Sequence, residues 1–359
     1  MVAGAALLIG AATHSRALLP VDAPVNTDKV VQFIREQWGI PDTVKLTVEP
    51  FHSSAFPSFE ESRVVMDDGK QKKTSPVYVT KGGHYLAVGN LMALGSDFRT
   101  DLVKDIRDTF KVPPNDTLTP GPVVKSKYPD FNQTTVTVDD GKNKQTPVFY
   151  VTLDNKVALF SDGLFDLSIN LIEKREKALH TMALRNQASV GPPNAPVTIV
   201  EYADLECPMC ARFHAFLENE LLPHYGDKVR IVFKEFTLPF HDWSKTAAIA
   251  DECAYQIAPS SKSFFTLRSM IFAHQDAINV TNVRDVVLQY GDEAGIDRVK
   301  LAACIDSQAS LPRVDEGKRE GTAIGVDRTP TSFINGRMVV GMPPPEQYFA
   351  LVDEALKAH

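Results

Sequence analysis

Cysteine is scarce and unevenly placed. The chain has 359 residues and four cysteines, Cys207, Cys210, Cys253 and Cys304, with none in the first 206 positions. That excludes a disulfide-dense scaffold, so the front half must fold on packing alone. A basic excess is missing too. Lys and Arg number 38 against 45 Asp and Glu, a net charge of −7, which argues against a nucleic-acid partner. No segment reaches the ~20 consecutive apolar residues that a bilayer-spanning helix needs. What remains is 43% hydrophobic and 23% charged, a globular composition long enough for two or three domains.

The opening run Met1-Val2-Ala3-Gly4-Ala5-Ala6-Leu7-Leu8-Ile9-Gly10-Ala11-Ala12 is apolar but short. It reads as the core of an export signal. Ser15 and Ala17 stand at the −3 and −1 positions of a cleavage site after Ala17. No basic stretch precedes it, and a frayed alanine-rich terminus is the alternative. Residues 1–23 are expected to be an export segment and leader.

The front half repeats itself. Asp67-Asp68-Gly69-Lys70 recurs 72 positions on as Asp139-Asp140-Gly141-Lys142. Ser75-Pro76-Val77-Tyr78-Val79-Thr80 matches Pro147-Val148-Phe149-Tyr150-Val151-Thr152, and Gly89-Asn90-Leu91 matches Asp162-Gly163-Leu164. In each copy a threonine, Thr27 or Thr100, is the expected N-cap of an amphipathic helix. In the first copy Val30, Val31, Phe33, Ile34 and Trp38 lie on its apolar side. Pro41 and Pro113 are expected to stop the helices. Strands follow, joined by Asp-Gly hairpin turns, with Val77–Thr80 and Tyr85–Val88 among them. Two copies are too few for a solenoid, which needs about three repeats. The expectation is two side-by-side α+β domains, 24–95 and 96–167. A linker helix is expected over 168–189, with Glu173-Lys174-Arg175-Glu176-Lys177 as its solvated face.

Gly191-Pro192-Pro193-Asn194-Ala195-Pro196 opens a last domain, 190–359. Its first strand, Val197-Thr198-Ile199-Val200-Glu201-Tyr202, runs into Asp204-Leu205-Glu206-Cys207-Pro208-Met209-Cys210. A helix follows, with Phe213, Phe216, Leu217 and Leu221 on its apolar stripe. The C-x-x-C pair therefore sits at a helix N-terminus, where orphan N–H groups and the helix dipole stabilise a thiolate. The pKa of Cys207 should fall below the free value of ~8.5. Pro208 suits the first helical turn because it has no N–H to leave unpaired. Half of a zinc site is the rival reading. Cys253 and Cys304, 51 positions apart, do not supply the second short-spaced ligand pair that zinc needs.

Other residues favour redox chemistry. Glu201, six residues before Cys207, is placed to lie beneath the sulfurs and relay the proton of Cys210; an exposed strand glutamate is the alternative. Thr329-Pro330 precedes a strand that closes at Asn335-Gly336. A proline there tolerates cis and leaves the backbone of Thr329 free to pair with an extended peptide. Val229–Phe233 supplies another strand, as a βαβ unit requires.

On these residues the stretch from about 190 to 359 resembles the DsbA-like branch of the thioredoxin superfamily. The carriers are Cys207-Pro208-Met209-Cys210, Glu201, Thr329-Pro330, and Leu238-Pro239-Phe240-His241 followed by Ala247 to Ala254. The resemblance implies an α/β thioredoxin fold interrupted by a helical insertion at about 241–325. It implies thiol–disulfide exchange with no cofactor beyond the redox disulfide. Its partners would be unfolded or misfolded exported proteins and a membrane redox partner, and its compartment periplasmic or extracytoplasmic. The Pro208-Met209 dipeptide lacks the histidine of the strongest oxidants, which implies a less acidic Cys207. Threonine before Pro330 is similar to isomerases and general oxidoreductases. The repeats resemble, more distantly, the cystatin-like dimerisation domain of DsbC-type isomerases, but in two copies. That implies either a monomer whose repeats pair within the chain or a homodimer.

Cys253 and Cys304 fall in the helical insertion. They are either buried free thiols or, as export favours, a structural disulfide. His241 either tunes Cys207 or is a loop histidine. Lys234 either pairs with Glu201 or lies on the surface. Asp204 and Glu206 are expected on an acidic rim, and Phe264, Phe265 and Phe272 in the core. An isomerase or reductase role is expected, with a dedicated oxidase or a chaperone-like adaptor as alternatives.

Overall fold

The structure is a computed structural model that describes residues 25–358, except 41, 142, 143, 183, 185, 186, 259 and 260. The export segment, Pro41, Lys142 and Arg185 lie outside the described residues. The chain divides into two compact units. One holds residues up to Val30, Thr47–Val65 and Lys73–Ser168; the other holds Val31–Leu46, Met66–Lys72 and everything from Ile169 on.

The first repeat runs α1 (Thr27–Trp38), β1 (Lys45–Val48), β2 (His52–Ser53), β3 (Phe59–Asp67), β4 (Lys72–Thr80), β5 (Tyr85–Val88) and β6 (Met92–Ala93). The second runs α2 (Phe98–Phe110), β7 (Thr117–Pro120), β8 (Val124–Lys125), β9 (Phe131–Asp139), β10 (Lys144–Gln145), β11 (Val148–Thr152), β12 (Val157–Phe160) and β13 (Leu164–Asp166). The helices are capped earlier than the threonines suggested, α1 by one residue and α2 by three. Asn26 accepts from the Lys29 amide at 3.0 Å, and Asp97 from the Thr100 amide at 3.3 Å. Asparagine and aspartate outrank threonine as caps because their oxygens reach the orphan amides with less steric cost.

The repeat extends to individual hydrogen bonds. Arg35 donates to the carbonyls of Ile40 and Val44, and Arg107 donates to those of Val112 and Asp116, each 72 residues on. Ser54 accepts from the Phe56 amide as Ser126 accepts from that of Tyr128. Gly69 and Gly141 take φ of +81° and +82° at the two Asp-Gly turns, a conformation that suits glycine.

The last strands are exchanged. The first sheet has the order β1-β3-β4-β5-β13, and the second β10-β9-β11-β12-β6. Leu164 of β13 faces Ala87 of β5, while Ala158 of β12 faces Met92 of β6. Strand pairing thus crosses the expected 95/96 boundary in both directions. Around the crossover lies an aromatic core related by a local two-fold. Phe59 and Phe131 meet at 6.3 Å, and the edge-to-face pairs Phe56–Tyr78 and Tyr128–Tyr150 repeat at 5.5 and 5.1 Å.

The second unit continues with α3 (Leu171–Thr181), β14 (Ser189–Val190), β15 (Val197–Ala203), α4 (Pro208–Phe216), α5 (Leu222–Tyr225) and β16 (Val229–Glu235). Five helices follow, α6 (Ser244–Ile257), α7 (Ser261–Ala273), α8 (Val283–Glu293), α9 (Arg298–Asp306) and α10 (Leu311–Ala323). It ends with β17 (Thr331–Ile334), β18 (Arg337–Val340) and α11 (Pro345–Lys357). The sheet order is β14-β16-β15-β17-β18, with β15 parallel to β16 and antiparallel to β17. This is a thioredoxin-like fold with a helical insertion of α6–α10. β15 is buried on both faces, so its side chains sort by the two-residue period of a strand. Val200 and Tyr202 join a core with Leu179 of α3, whereas Val197 and Ile199 join one with Phe213 and Phe216. Glu201 has the parity of that second face.

Helix α3 is not a solvated spacer. Arg175, expected in water, is 3% exposed. It donates to the carbonyls of Glu36, Gln37 and Ile324 at 2.7, 3.2 and 3.2 Å, and its guanidinium stands 6.0 Å from the Phe333 ring. Arginine suits this place because its fork satisfies several carbonyls at once. Gly336 lets α3 approach the β17–β18 turn: a Cβ there would stand 2.5 Å from the Ile172 carbonyl oxygen.

Candidate active site

Cys207 is the N-cap of α4, with Pro208 at its first position. The loop before it is held from several sides. The Cys207 amide donates to the Asp204 carbonyl at 3.0 Å, and Gln275 donates to the carbonyls of Leu205 and Cys207 at 2.7 and 3.1 Å. Asp204 and Glu206 are not rim acids. Asp204 is buried and accepts from the amides of Glu206 and Leu238 at 2.8 and 2.6 Å. Glu206 accepts from the amides of Trp243 and Ser244, both at 2.8 Å, which serves the start of α6 as an N-cap would. Both carboxylates thus accept from backbone amides of the loop and of the segment leading into α6.

In this structure Cys207 and Cys210 are free thiols. Pro208 and Met209 are exposed, Cys207 keeps 7% of its surface exposed and Cys210 none, so Cys207 is the more accessible of the two sulfurs. The Cys207 sulfur lies 3.7 Å from the Thr329 carbonyl, with which it hydrogen-bonds, and the Thr329–Pro330 bond is cis. The Cys210 thiol pulls the Cys207 pKa down to about 5, aided by Thr329 and the amides of Cys210 and Met209 and opposed by burial. That value lies below the ~8.5 of a free thiol and above the ~3.5 of the most acidic disulfide oxidants. Cys210 moves the other way: burial, then its bond to Cys207 and the Cys207 charge, raise its pKa well above the ordinary value.

Glu201 is fully buried, and among the described residues neither of its oxygens accepts a hydrogen bond. Burial raises its pKa to about 7, against the opposing pull of Arg268. Its charge also acts on Cys210 and Tyr348. Lys234 does not pair with it: Lys234 is buried with Nζ 2.8 Å from Glu320. Adjacent residues on a strand point to opposite faces, and Glu201 pairs in register with Phe233 rather than Lys234. Nδ1 of His241 lies 2.9 Å from Asp204. Among the described residues no hydrogen bond or ion pair joins His241 to either sulfur.

Cys253 of α6 and Cys304 of α9 form a disulfide with Cα atoms 6.0 Å apart. Phe264 and Phe272 are core residues. Sequence reasoning missed Gln275, Arg268, Asp251 and Glu235. Glu235 ends β16, Asp251 and Arg268 lie in α6 and α7, and Gln275 lies in the turn after α7, positions whose local sequence carries no motif.

Among known families, the model described as thioredoxin matches residues 184–354. A Na(+)/H(+) antiporter NhaA of Herminiimonas arsenicoxydans is 34% identical over 152 residues, which is 42% of this chain and 22% of that protein. The chain spans 22–24% of the length of the curated relatives it matches. Among solved structures, BdbD from Bacillus subtilis is 21% identical, with a TM-score of 0.45 over 49% of this chain and 95% of that one. DsbA of Chlamydia trachomatis is 18% identical, with a TM-score of 0.43 over 48% and 93%. Among the described residues no helix is long and apolar enough to cross a membrane.

Proposed function

We propose that this chain, whose residues 184–354 form a domain of the thioredoxin family, is a protein thiol–disulfide oxidoreductase acting through Cys207 and Cys210. One observation carries the reading. An acidic sulfur that keeps a little exposure and a fully buried, poorly acidic one occupy the first turn of a single helix, against the backbone of Thr329. A thiolate attacks as the nucleophile and departs as the better leaving group when its pKa is low.

In the oxidative direction a substrate thiolate attacks Sγ of Cys207 in the disulfide. The S–S bond breaks, and its electron pair leaves on Cys210, which takes a proton from Glu201. A second substrate thiolate then resolves the mixed disulfide and releases Cys207 as thiolate. In the isomerase direction the Cys207 thiolate attacks a substrate disulfide. Cys210 resolves the adduct if the substrate stalls, giving its proton to Glu201. Thr329 and Pro330 seat the extended substrate, and Met209 and Phe240, 37% and 72% exposed, offer it apolar contact.

The duplicated front unit favours an isomerase or reductase acting on misfolded exported chains, with a monomer whose repeats pair internally. The stabilised Cys207 thiolate favours the second reading, an oxidase, because a stabilised reduced form makes the disulfide oxidising. The Cys253–Cys304 disulfide supports an extracytoplasmic setting, and a membrane redox partner would return the pair to its working state. Insulin reduction tests the activity. Refolding of scrambled against reduced ribonuclease separates isomerase from oxidase, and a Cys207→Ser protein that still reduces insulin would overturn the assignment.

A further inference from the structure

Behind Cys210 four ionisable side chains occupy one enclosed space: Glu201 of β15, Glu235 of β16, Asp251 of α6 and Arg268 of α7. Each is 2% exposed or less. Nη1 of Arg268 lies 2.6 Å from Oε1 of Glu235 and 2.6 Å from Oδ2 of Asp251, and Nη2 lies 3.8 Å from Oε2 of Glu201. The rings of Phe233, Phe264 and Phe272 surround the guanidinium at 5.2, 5.8 and 5.3 Å. Three acids thus share one cation with no water-facing side. Full ionisation would leave two uncompensated negative charges in a low-dielectric site, so the cluster retains protons.

The other groups facing this space do not change that count. His214 of α4 is buried, accepts or donates to Ser269 at 2.8 Å, and is held neutral by burial and by Arg268. Tyr348 of α11 shares a hydrogen bond with Ser332 at 2.9 Å. Glu252 acts on Glu235 and Asp251 but pairs with Arg313 at 2.6 Å. Cys210 feels the charge of Glu201.

We infer that Arg268, Asp251 and Glu235 are positioning residues for thiol–disulfide exchange: they set how readily Glu201 passes its proton to and from Cys210, and so make the helical insertion part of the redox machinery. The inference rests on Glu201 being the proton carrier of the proposed reaction. Arg268 has committed its short contacts to the other two acids, and Glu201 holds the longest and weakest claim on it. When Glu201 gives its proton to the Cys210 thiolate, the new carboxylate competes for the same guanidinium. The cost of that competition sets the direction in which the proton rests. The raised affinity of Glu201 follows the same logic, since burial and Asp251 raise it and Arg268 lowers it.

The test is the pH dependence of the reduction potential of the full chain from pH 5 to 9, poised against glutathione. The parent should show a break near pH 7. Asp251→Asn and Glu235→Gln each remove a competitor while keeping shape, and each should move the break down by about one pH unit, a tenfold change in proton affinity. Arg268→Lys, which keeps the charge but loses the fork, should move it up. Near-UV circular dichroism checks that each variant is folded. A break that stays within about 0.2 unit in folded Asp251→Asn and Glu235→Gln, yet vanishes in Glu201→Gln, overturns this inference and leaves the proposed reaction standing. A break that survives Glu201→Gln overturns the proton role of Glu201 itself.

Discussion

The sulfur of Cys207 hydrogen-bonds to the carbonyl of Thr329, 122 positions away in sequence, at 3.7 Å. That contact joins the helix carrying the redox pair to the loop entering β17. In the proposed reaction a peptide at the sulfur runs beside residue 329, and recognition falls on substrate backbone more than on any one side chain.

The acidity of Cys207 is directly measurable. Absorbance at 240 nm should rise with a midpoint near pH 5 as the thiolate forms, where its pKa is held down first by the Cys210 thiol. Exchange should slow as pH falls through that value, because the thiol replaces the thiolate. Cys210 should not titrate in the same range, since its pKa is raised. A single midpoint above about 8, the value of a free thiol, would refute the asymmetry.

Glu201 should make stability depend on pH in a particular window. Its folded pKa of about 7 lies above the ordinary 4.5. The folded state therefore binds the proton more tightly, an advantage complete below about 4.5 and lost as pH rises through 7. Glu201→Gln should flatten the curve across that window by about 3 kcal/mol. Urea unfolding of the reduced protein at pH 5 and pH 8 reads the difference, and parallel curves for parent and variant would contradict it.

Joining Cys253 to Cys304 closes a separation of 51 residues. Chain entropy assigns such a link about 4 kcal/mol. The Cys253→Ala/Cys304→Ala protein should lose up to that much in urea unfolding. Alkylation in denaturant should add two labels to protein whose active site alone has been reduced, and four after full reduction. Four labels without full reduction would deny the bond.

The two-fold aromatic core should respond symmetrically. Phe59 and Phe131 are both buried, and truncating either to alanine should cost about 3–5 kcal/mol. Unequal losses, one of them below about 1 kcal/mol, would show that the two positions are not equivalent.

How much of this was legible depends on the range of the forces involved. The Asp-Gly turns and the alternating strands are written in adjacent residues, so the 72-residue repeat was readable. The exchange of β6 and β13 was not, because the two segments are copies of one another and either sheet satisfies their pattern. Cys207, Cys210, Glu201 and Pro330 stood out by their spacing from a strand and a turn. Arg268 did not, since it lies in a helix among Phe264, Leu267 and Ile271 and looks like any polar position there. Arg175 was hidden in a charged run whose composition says water, while its geometry satisfies three carbonyls. Asp204 and Glu206 were misplaced for the opposite reason: buried amides of distant segments claim them, and no local pattern announces that.

Exchange of the final strands also bears on how the chain is made. Tyr85–Val88 acquires its edge partner only when Leu164–Asp166 exists. During vectorial synthesis the first sheet must therefore wait, one side open, for nearly 80 further residues to leave the ribosome. The second sheet has no such delay, since Met92–Ala93 precedes it. The copy made first is thus the copy finished last, and nascent chains halted before residue 164 would carry an unpaired β-edge that a holding chaperone recognises.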